Sequence, residues 1–230
     1  MKHSDYVDLV SLADFKIGGN MLNGITVNAP NNRRIKLTVY PGHYATSHAH
    51  VDMYISMTEI RTDAVMASEA AGELADRLRY SRIDTIVCLE CTQNIGAFLA
   101  KELMDGAHSV NSGSLIHVIT PEINSNNQLS FNSEVQQYVT GKEVALLMST
   151  VSTGRSLARA AECIEYYGGK LVGIASIFSA IDSSGSLPIH SIFKRKDLNE
   201  YNNFKSNECP LCNRGRKLDG LINAGGCTVL

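Results

Sequence analysis

The sequence predicts an α/β fold: a mostly parallel, twisted sheet with helices on both faces. Two observations lead there. Between about residues 62 and 193, short apolar runs alternate with amphipathic segments at helical spacing, and strands separated by helices pair in parallel through crossovers. The chain has 230 residues, of which 44% are hydrophobic and 19% charged, an ordinary globular balance that can bury a core without disulfide or metal staples.

Residues 1–35 are polar and carry turn signals at Gly18-Gly19-Asn20 and Asn28-Ala29-Pro30-Asn31-Asn32, so they read as an arm or lid. Residues 35–40 and 51–55 read as strands around a Pro41-Gly42 turn. Thr62-Asp63 caps a helix to about Arg79, with Val65, Met66, Leu74 and Leu78 on one side. The alternation then begins with a buried-type strand over residues 84–89 and a helix over 94–104, whose Ile95, Phe98, Leu99 and Leu103 share a face. Strands follow at 114–119 and 143–148. A helix from about Gly154 to Tyr167 is stopped by Gly168-Gly169. Strands at 171–178 and 187–193 complete the sheet. The whole chain, 1–230, reads as one domain, with an N-terminal hood or arm at 1–60, a core at 61–193 and a C-terminal tail at 194–230.

Lys and Arg total 21 against 23 Asp and Glu, so net charge supplies no reason to expect nucleic acid. Their placement is uneven. None occurs from Glu102 to Gly141, whereas Lys194, Arg195, Lys196, Lys205, Arg214, Arg216 and Lys217 crowd the C-terminal part. The Lys194-Arg195-Lys196 run is shorter than a usual nucleic-acid patch and reads as a solvated loop. No apolar stretch reaches the roughly 18 residues of a membrane span, and the N-terminus lacks a signal-peptide core, so a soluble, cytoplasmic protein is expected.

In open parallel sheets, ligands bind beyond the carboxyl ends of the strands. Two strand-to-helix loops therefore matter. Ser149-Thr150-Val151-Ser152-Thr153-Gly154-Arg155-Ser156 gathers hydroxyls around a glycine where a helix starts. Free backbone N–H groups and the helix dipole make such a place an anion cradle; plain N-capping by Ser or Thr gives the same local string. The other loop, Glu90-Cys91-Thr92-Gln93-Asn94-Ile95-Gly96, follows the first core strand.

The six cysteines are too few for a disulfide scaffold and read as thiols or metal ligands. Cys88-Leu89-Glu90-Cys91 stands at a strand-to-helix junction, where a helix N-terminus can activate a thiol, though Cys88 belongs to an apolar strand. Cys209-Pro210-Leu211-Cys212 has the spacing of half a zinc site. The missing two ligands could come from Cys227 or from His43, His48 and His50. Equally, the cysteines read as a free or packed pair in a C-terminal turn, and the histidine string as a strand-turn-strand segment beside the ligand pocket with His48 and His50 on one strand face.

The order of strand, Ser-Thr-Gly-Arg-Ser loop, helix with Glu162-Cys163-Ile164-Glu165-Tyr166-Tyr167-Gly168-Gly169, and strand resembles the type I phosphoribosyltransferases, especially the orotate phosphoribosyltransferase-like branch. The likeness extends from about Ile35 to Phe178. It implies that Ser152, Thr153, Gly154, Arg155 and Ser156 hold the 5-phosphate of phosphoribosyl pyrophosphate (PRPP). It implies that Glu90, Cys91, Thr92, Gln93 and Asn94 face the pyrophosphate and that residues 120–128 form a catalytic loop. Mg²⁺ held mainly by substrate oxygens, a nucleobase or nucleotide as the other small-molecule partner, a homodimer and a place in pyrimidine nucleotide metabolism complete what the resemblance implies.

Two departures stand out. Family enzymes carry adjacent acids before the phosphate loop, where this chain has Met148 and Ser149, so the catalytic residues stay unassigned. The expected basic residues of the catalytic loop fall inside the span without Lys or Arg. Three functions follow: phosphoribosyl transfer to an orotate-like base, a non-catalytic PRPP or nucleotide sensor, and a zinc- or redox-linked protein using the two C-x-x-C pairs.

Overall fold

The apolar runs form strands where their spacing predicts them, and the computed structural model describes residues 12–17, 20–124, 128–198 and 201–230. Strands β1 (Leu12–Ile17), β2 (Asn20–Asn28), β3 (Lys36–Ala45) and β4 (His50–Ser56) come first, followed by helices α1 (Thr58–Thr62) and α2 (Ala64–Leu78). Next come β5 (Thr85–Cys88), α3 (Gln93–Asp105), β6 (His117–Ile119), β7 (Glu122–Ile123), β8 (Leu129–Ser130) and α4 (Ser133–Gln136). The alternation continues through β9 (Glu143–Val151), α5 (Arg155–Tyr166), β10 (Lys170–Ser179), β11 (Ser183–Ser184) and β12 (Leu187–Lys194). The C-terminal elements are β13 (Asn203–Phe204), α6 (Pro210–Asn213), β14 (Gly220–Asn223) and β15 (Gly226–Val229). These elements divide into two compact units, one of residues 61–195 and one of residues up to 60 with 196–230.

The larger unit holds a sheet of order β11-β12-β10-β9-β5-β6, parallel throughout except for β11. Every residue of β5 is buried, as a central strand covered on both faces requires. Successive β9 side chains supply the two faces. Val144, Leu146 and Met148 join an apolar cluster with Leu157, Ala160 and Ile164 of α5, while a Cβ at Gly96 of α3 would lie 3.6 Å from Leu147. That same Cβ would lie 2.3 Å from the Cys88 sulfur, so only glycine lets α3 approach β5 this closely.

The local signals hold with adjustments. Asp63 caps α2, its Oδ1 accepting from the N–H groups of Val65 and Met66 at 2.8 and 3.0 Å. Met66, Leu74 and Leu78 are buried as expected, but Val65 is 69% exposed because it occupies the outward side of the first turn. The strand expected at 114–119 shrinks to β6, since Ser114 is still in a turn, its N–H donating to the Asn111 carbonyl.

In the smaller unit the chain does not turn at Pro41-Gly42. β3 runs through both residues, and the pairing with β4 shifts register between Pro41 and Tyr44. Proline lacks the N–H that regular pairing needs, so it sits at an irregularity instead of ending the strand. The reversal comes at Thr46–Ala49, where the Thr46 hydroxyl accepts from the N–H groups of His48 and Ala49 at 3.2 and 2.9 Å. One edge of β3 pairs with β4. The other pairs first with β2 and then, in parallel, with β14 at Tyr44 and Ala45. β14 and β15 form a hairpin, so the C-terminal segment is a built part of this sheet. Residues Gly18 and Gly19 of the expected first turn lie outside the described residues. Among the described residues no helix is long and apolar enough to cross a membrane.

Candidate functional site

Read across the sheet, the five parallel strands stand in the order β6-β5-β9-β10-β12. The chain thus reverses its direction of travel between β5 and β9. At such a reversal the loops leaving two neighbouring strands diverge to opposite faces and open a crevice. The two loops singled out in the sequence are the ones leaving β5 and β9.

The β5 loop is built tightly. The Leu89 N–H donates to the Leu147 carbonyl at 2.9 Å, and the buried Thr92 hydroxyl donates to the carbonyls of Leu89 and Leu147 at 2.8 and 3.2 Å. Glu90 and Cys91 both adopt left-handed backbone, with φ of 54° and 60°. Two consecutive non-glycine residues in that region cost free energy that the surrounding contacts must offset. Arg61 supplies one such contact: its Nη1 donates to the Glu90 carbonyl at 2.9 Å, while Asn94 Nδ2 donates to the Arg61 carbonyl at 3.1 Å. Thr92 is buried and shapes the loop from within, Asn94 ties it to Arg61, and Cys91, Gln93 and Asn94 are exposed on it.

The β9 loop starts later than expected because β9 continues to Val151. Gly154 is left-handed at φ 78° and stands immediately before α5. A glycine there brings no side chain over the helix start, so the first-turn N–H groups are not capped by the residue that precedes them. Thr153, Arg155 and Ser156 are exposed around it, and Ser152 is half-buried. The arrangement presents backbone donors, hydroxyls, a guanidinium and the positive end of a 12-residue helix on one surface.

A side chain joins the two loops. Glu90 Oε2 accepts from the Ser149 hydroxyl at 2.6 Å and from the Thr150 N–H at 3.0 Å. Glu90 is the acidic residue of these two loops, and it lies against the position where the resemblance leads one to look for an acid. Met148, by contrast, is buried in the apolar cluster beneath α5, and Ser149 is buried against Glu90. Neither Arg61 nor the Glu90 bridge was visible in the sequence; their partners stand 29 and 59 positions away. Alternation along β9 was the one available signal for Met148, since it places that side chain opposite Leu147.

Of the expected catalytic loop, β7 and β8 form a two-stranded ribbon pairing Glu122 with Ser130 and Ile123 with Leu129. Asn124 and Gln128 bond to each other at its end through Asn124 Nδ2 to Gln128 Oε1 at 2.9 Å. Residues 125–127 lie outside the described residues.

The two cysteine pairs differ. Burial pushes the Cys88 thiol up to about 12, which keeps it protonated and unreactive at neutral pH. Cys91 is exposed on the loop while its motif partner Cys88 is buried, and both are free thiols. Cys209 and Cys212 instead meet His43 and His50. His48 is held in the Thr46 turn, and Cys227 lies half-buried in β15; neither belongs to this group.

No protein-family model matches the chain. An orotate phosphoribosyltransferase of Campylobacter jejuni subsp. jejuni serotype O:23/36 is 25% identical over 190 residues, covering 76% of this chain and 88% of that protein. An orotate phosphoribosyltransferase of Caldanaerobacter subterraneus subsp. tengcongensis is 24% identical over 178 residues, covering 76% and 85%. The solved structure of Leishmania donovani UMP synthase superposes with a TM-score of 0.52 at 18% identity, covering 69% of this chain and 34% of that one. The fold is that of the type I phosphoribosyltransferases. Within that class the chain resembles the orotate phosphoribosyltransferase-like branch.

Proposed function

We propose that residues 61–195 bind PRPP and transfer its phosphoribosyl group between pyrophosphate and a nucleobase of the orotate class. The observation that carries this reading is the pair of loops at the sheet's reversal point, with Gly154 opening the α5 N-terminus and Glu90 bridging to Ser149 and Thr150. Thr153, Gly154, Arg155 and Ser156, with Ser152 beside them, would take the 5-phosphate. Gln93 and the strained Glu90-Cys91 backbone would face the pyrophosphate. In the reaction the bond from the anomeric carbon to pyrophosphate breaks as a bond to a ring nitrogen of the base forms.

The positive charge that develops on the ribose needs a negative neighbour. Glu90 is the candidate, because Met148 and Ser149 carry none. Its carboxylate is an oxygen donor of the kind Mg²⁺ accepts, and most of the ion's remaining ligands would come from substrate oxygens. Mg²⁺ would supply charge neutralisation of the leaving pyrophosphate, which suits a catalytic-loop region without Lys or Arg. We further place the protein in the cytoplasm as a homodimer serving pyrimidine nucleotide metabolism, in line with the resemblance.

Calorimetry with PRPP and Mg²⁺, followed by product analysis with a panel of bases that includes orotate, tests the reading. Saturable binding with formation of a nucleoside monophosphate and pyrophosphate supports it. Absence of PRPP binding overturns it, and binding without turnover for any base restricts the site to recognition alone.

A further inference from the structure

We propose that His43, His50, Cys209 and Cys212 form a closed tetrahedral zinc site in the smaller unit. The four ligand atoms all lie within 4.8 Å of one another. His43 Nε2 is 3.1 Å from His50 Nδ1, 3.5 Å from Cys209 Sγ and 3.6 Å from Cys212 Sγ. Cys212 Sγ is 3.3 Å from His50 Nδ1. Zinc bonds of about 2.0–2.1 Å to imidazole nitrogen and 2.3 Å to sulfur, set at tetrahedral angles, require N···N near 3.3 Å and N···S near 3.6 Å. The observed separations match those of ligands already spaced for one ion.

The orientation of His43 points the same way. Its Nδ1 lies 2.9 Å from the Arg216 carbonyl and 3.2 Å from the Lys217 carbonyl. Carbonyl oxygens only accept, so Nδ1 carries a proton, and in the neutral ring Nε2 presents a lone pair. That lone pair, on a buried ring, faces two sulfurs and another imidazole nitrogen at once. Hydrogen bonding alone would need one donor there, whereas a metal ion accounts for all three neighbours. A backbone carbonyl on the second ring nitrogen is the usual support for a ligating histidine.

The surrounding chain is braced to hold this geometry. The His43 N–H donates to Asp219 Oδ2 at 2.6 Å, the Asp219 N–H donates to the His43 carbonyl at 2.7 Å, and Arg216 Nη2 donates to Asp219 Oδ2 at 3.1 Å. The register shift between Pro41 and Tyr44 sits at His43 itself. Two cysteines and two histidines favour zinc or an iron–sulfur centre. In a two-iron cluster with mixed ligands the histidines and cysteines sit on different irons. Here each histidine lies within 3.6 Å of a sulfur, which fits a single ion. Four protein ligands leave no open position, so the role is structural: the ion pins the segment around α6 to the β3–β4 hairpin.

The test uses full-length, tag-free protein prepared without added metal. About one zinc per chain is expected by elemental analysis, and Co²⁺ exchange should give the visible absorption of a tetrahedral cobalt–thiolate centre. Cys212→Ser and His50→Ala alter the exposed and half-buried ligands and should each lower affinity more than about 100-fold in chelator competition, beyond the 10–100-fold typical of outer-shell changes. His48→Ala and Cys227→Ser should keep the ion. Metal-free protein that gives no cobalt spectrum overturns the proposal. So does full metal retention in Cys212→Ser, or a Cys209–Cys212 disulfide in the freshly purified protein. None of these readouts depends on PRPP.

Discussion

Replacing Glu90 tests the joint between the two loops. Its carboxylate takes two hydrogen bonds, from the Ser149 hydroxyl and the Thr150 N–H, and its backbone stands at φ 54°. Hydrogen bonds to a charged group contribute about 1.5–3 kcal/mol each. Taking the low end for a half-buried group, Glu90→Ala should cost about 3 kcal/mol. Glu90→Gly loses the same bonds but relieves a left-handed strain of about 1–2 kcal/mol, less about 0.4–1 kcal/mol for the freer unfolded chain. Glycine should therefore be more stable than alanine by roughly 0.5–1 kcal/mol. Glu90→Gln keeps one acceptor and the smallest loss. Urea denaturation reads the order Glu, Gln, Gly, Ala, and calorimetry on the same proteins should show PRPP affinity falling in Ala and Gly as the loops lose their tie. An alanine variant within about 0.5 kcal/mol of the parent, or one more stable than glycine, would refute the assigned geometry.

Gly154→Ala forces a side chain onto φ 78° and brings Cβ to 3.0 Å from Ile181 Cδ1. If that strain falls on the bound loop, PRPP affinity should drop about 5- to 30-fold for a cost of about 1–2 kcal/mol, as read by calorimetry. Met148→Asp places a carboxylate in the apolar cluster under α5, where an unpaired buried charge costs about 3–5 kcal/mol. A thermal melt should show severe destabilisation, and a stable, more active variant would contradict the orientation of β9. The Cys88 thiol is raised from its ordinary 9.0 to about 12 by burial. The unfolded chain loses that proton first, so stability is full below about pH 9 and falls as pH rises toward 12, by up to about 4 kcal/mol. Cys88→Ala should flatten that alkaline loss, and an unchanged slope in pH-dependent denaturation would show that another group carries it.

The alternating core was legible because periodicity is local: β5, α3, β9, α5, β10 and β12 fall close to where runs and caps placed them. The phosphate-type loop was legible for the same reason, since Gly154 and its hydroxyl neighbours are contiguous. Pairings across the sheet were not. Glu90 meets Ser149 because β5 and β9 are neighbours, and the local pattern of each strand is compatible with other orders. The histidine string misled in a specific way. Alternation put His48 with His50, but the reversal at Thr46 took His48 out of the strand, and the irregularity after Pro41 turned His43 toward His50 instead.

By itself the sequence determined the class of fold, the two loops that could hold a charged sugar phosphate, and the absence of Lys or Arg from residues 102–141. All of these are properties of neighbouring residues. The tertiary structure decided that an acid from one loop stands beside the neutral end of the other strand. It also decided that two cysteines near the C-terminus close on two histidines 159–169 positions earlier. Contacts at such separations are set by strand order and register, which burial of the whole core selects and no local spacing encodes.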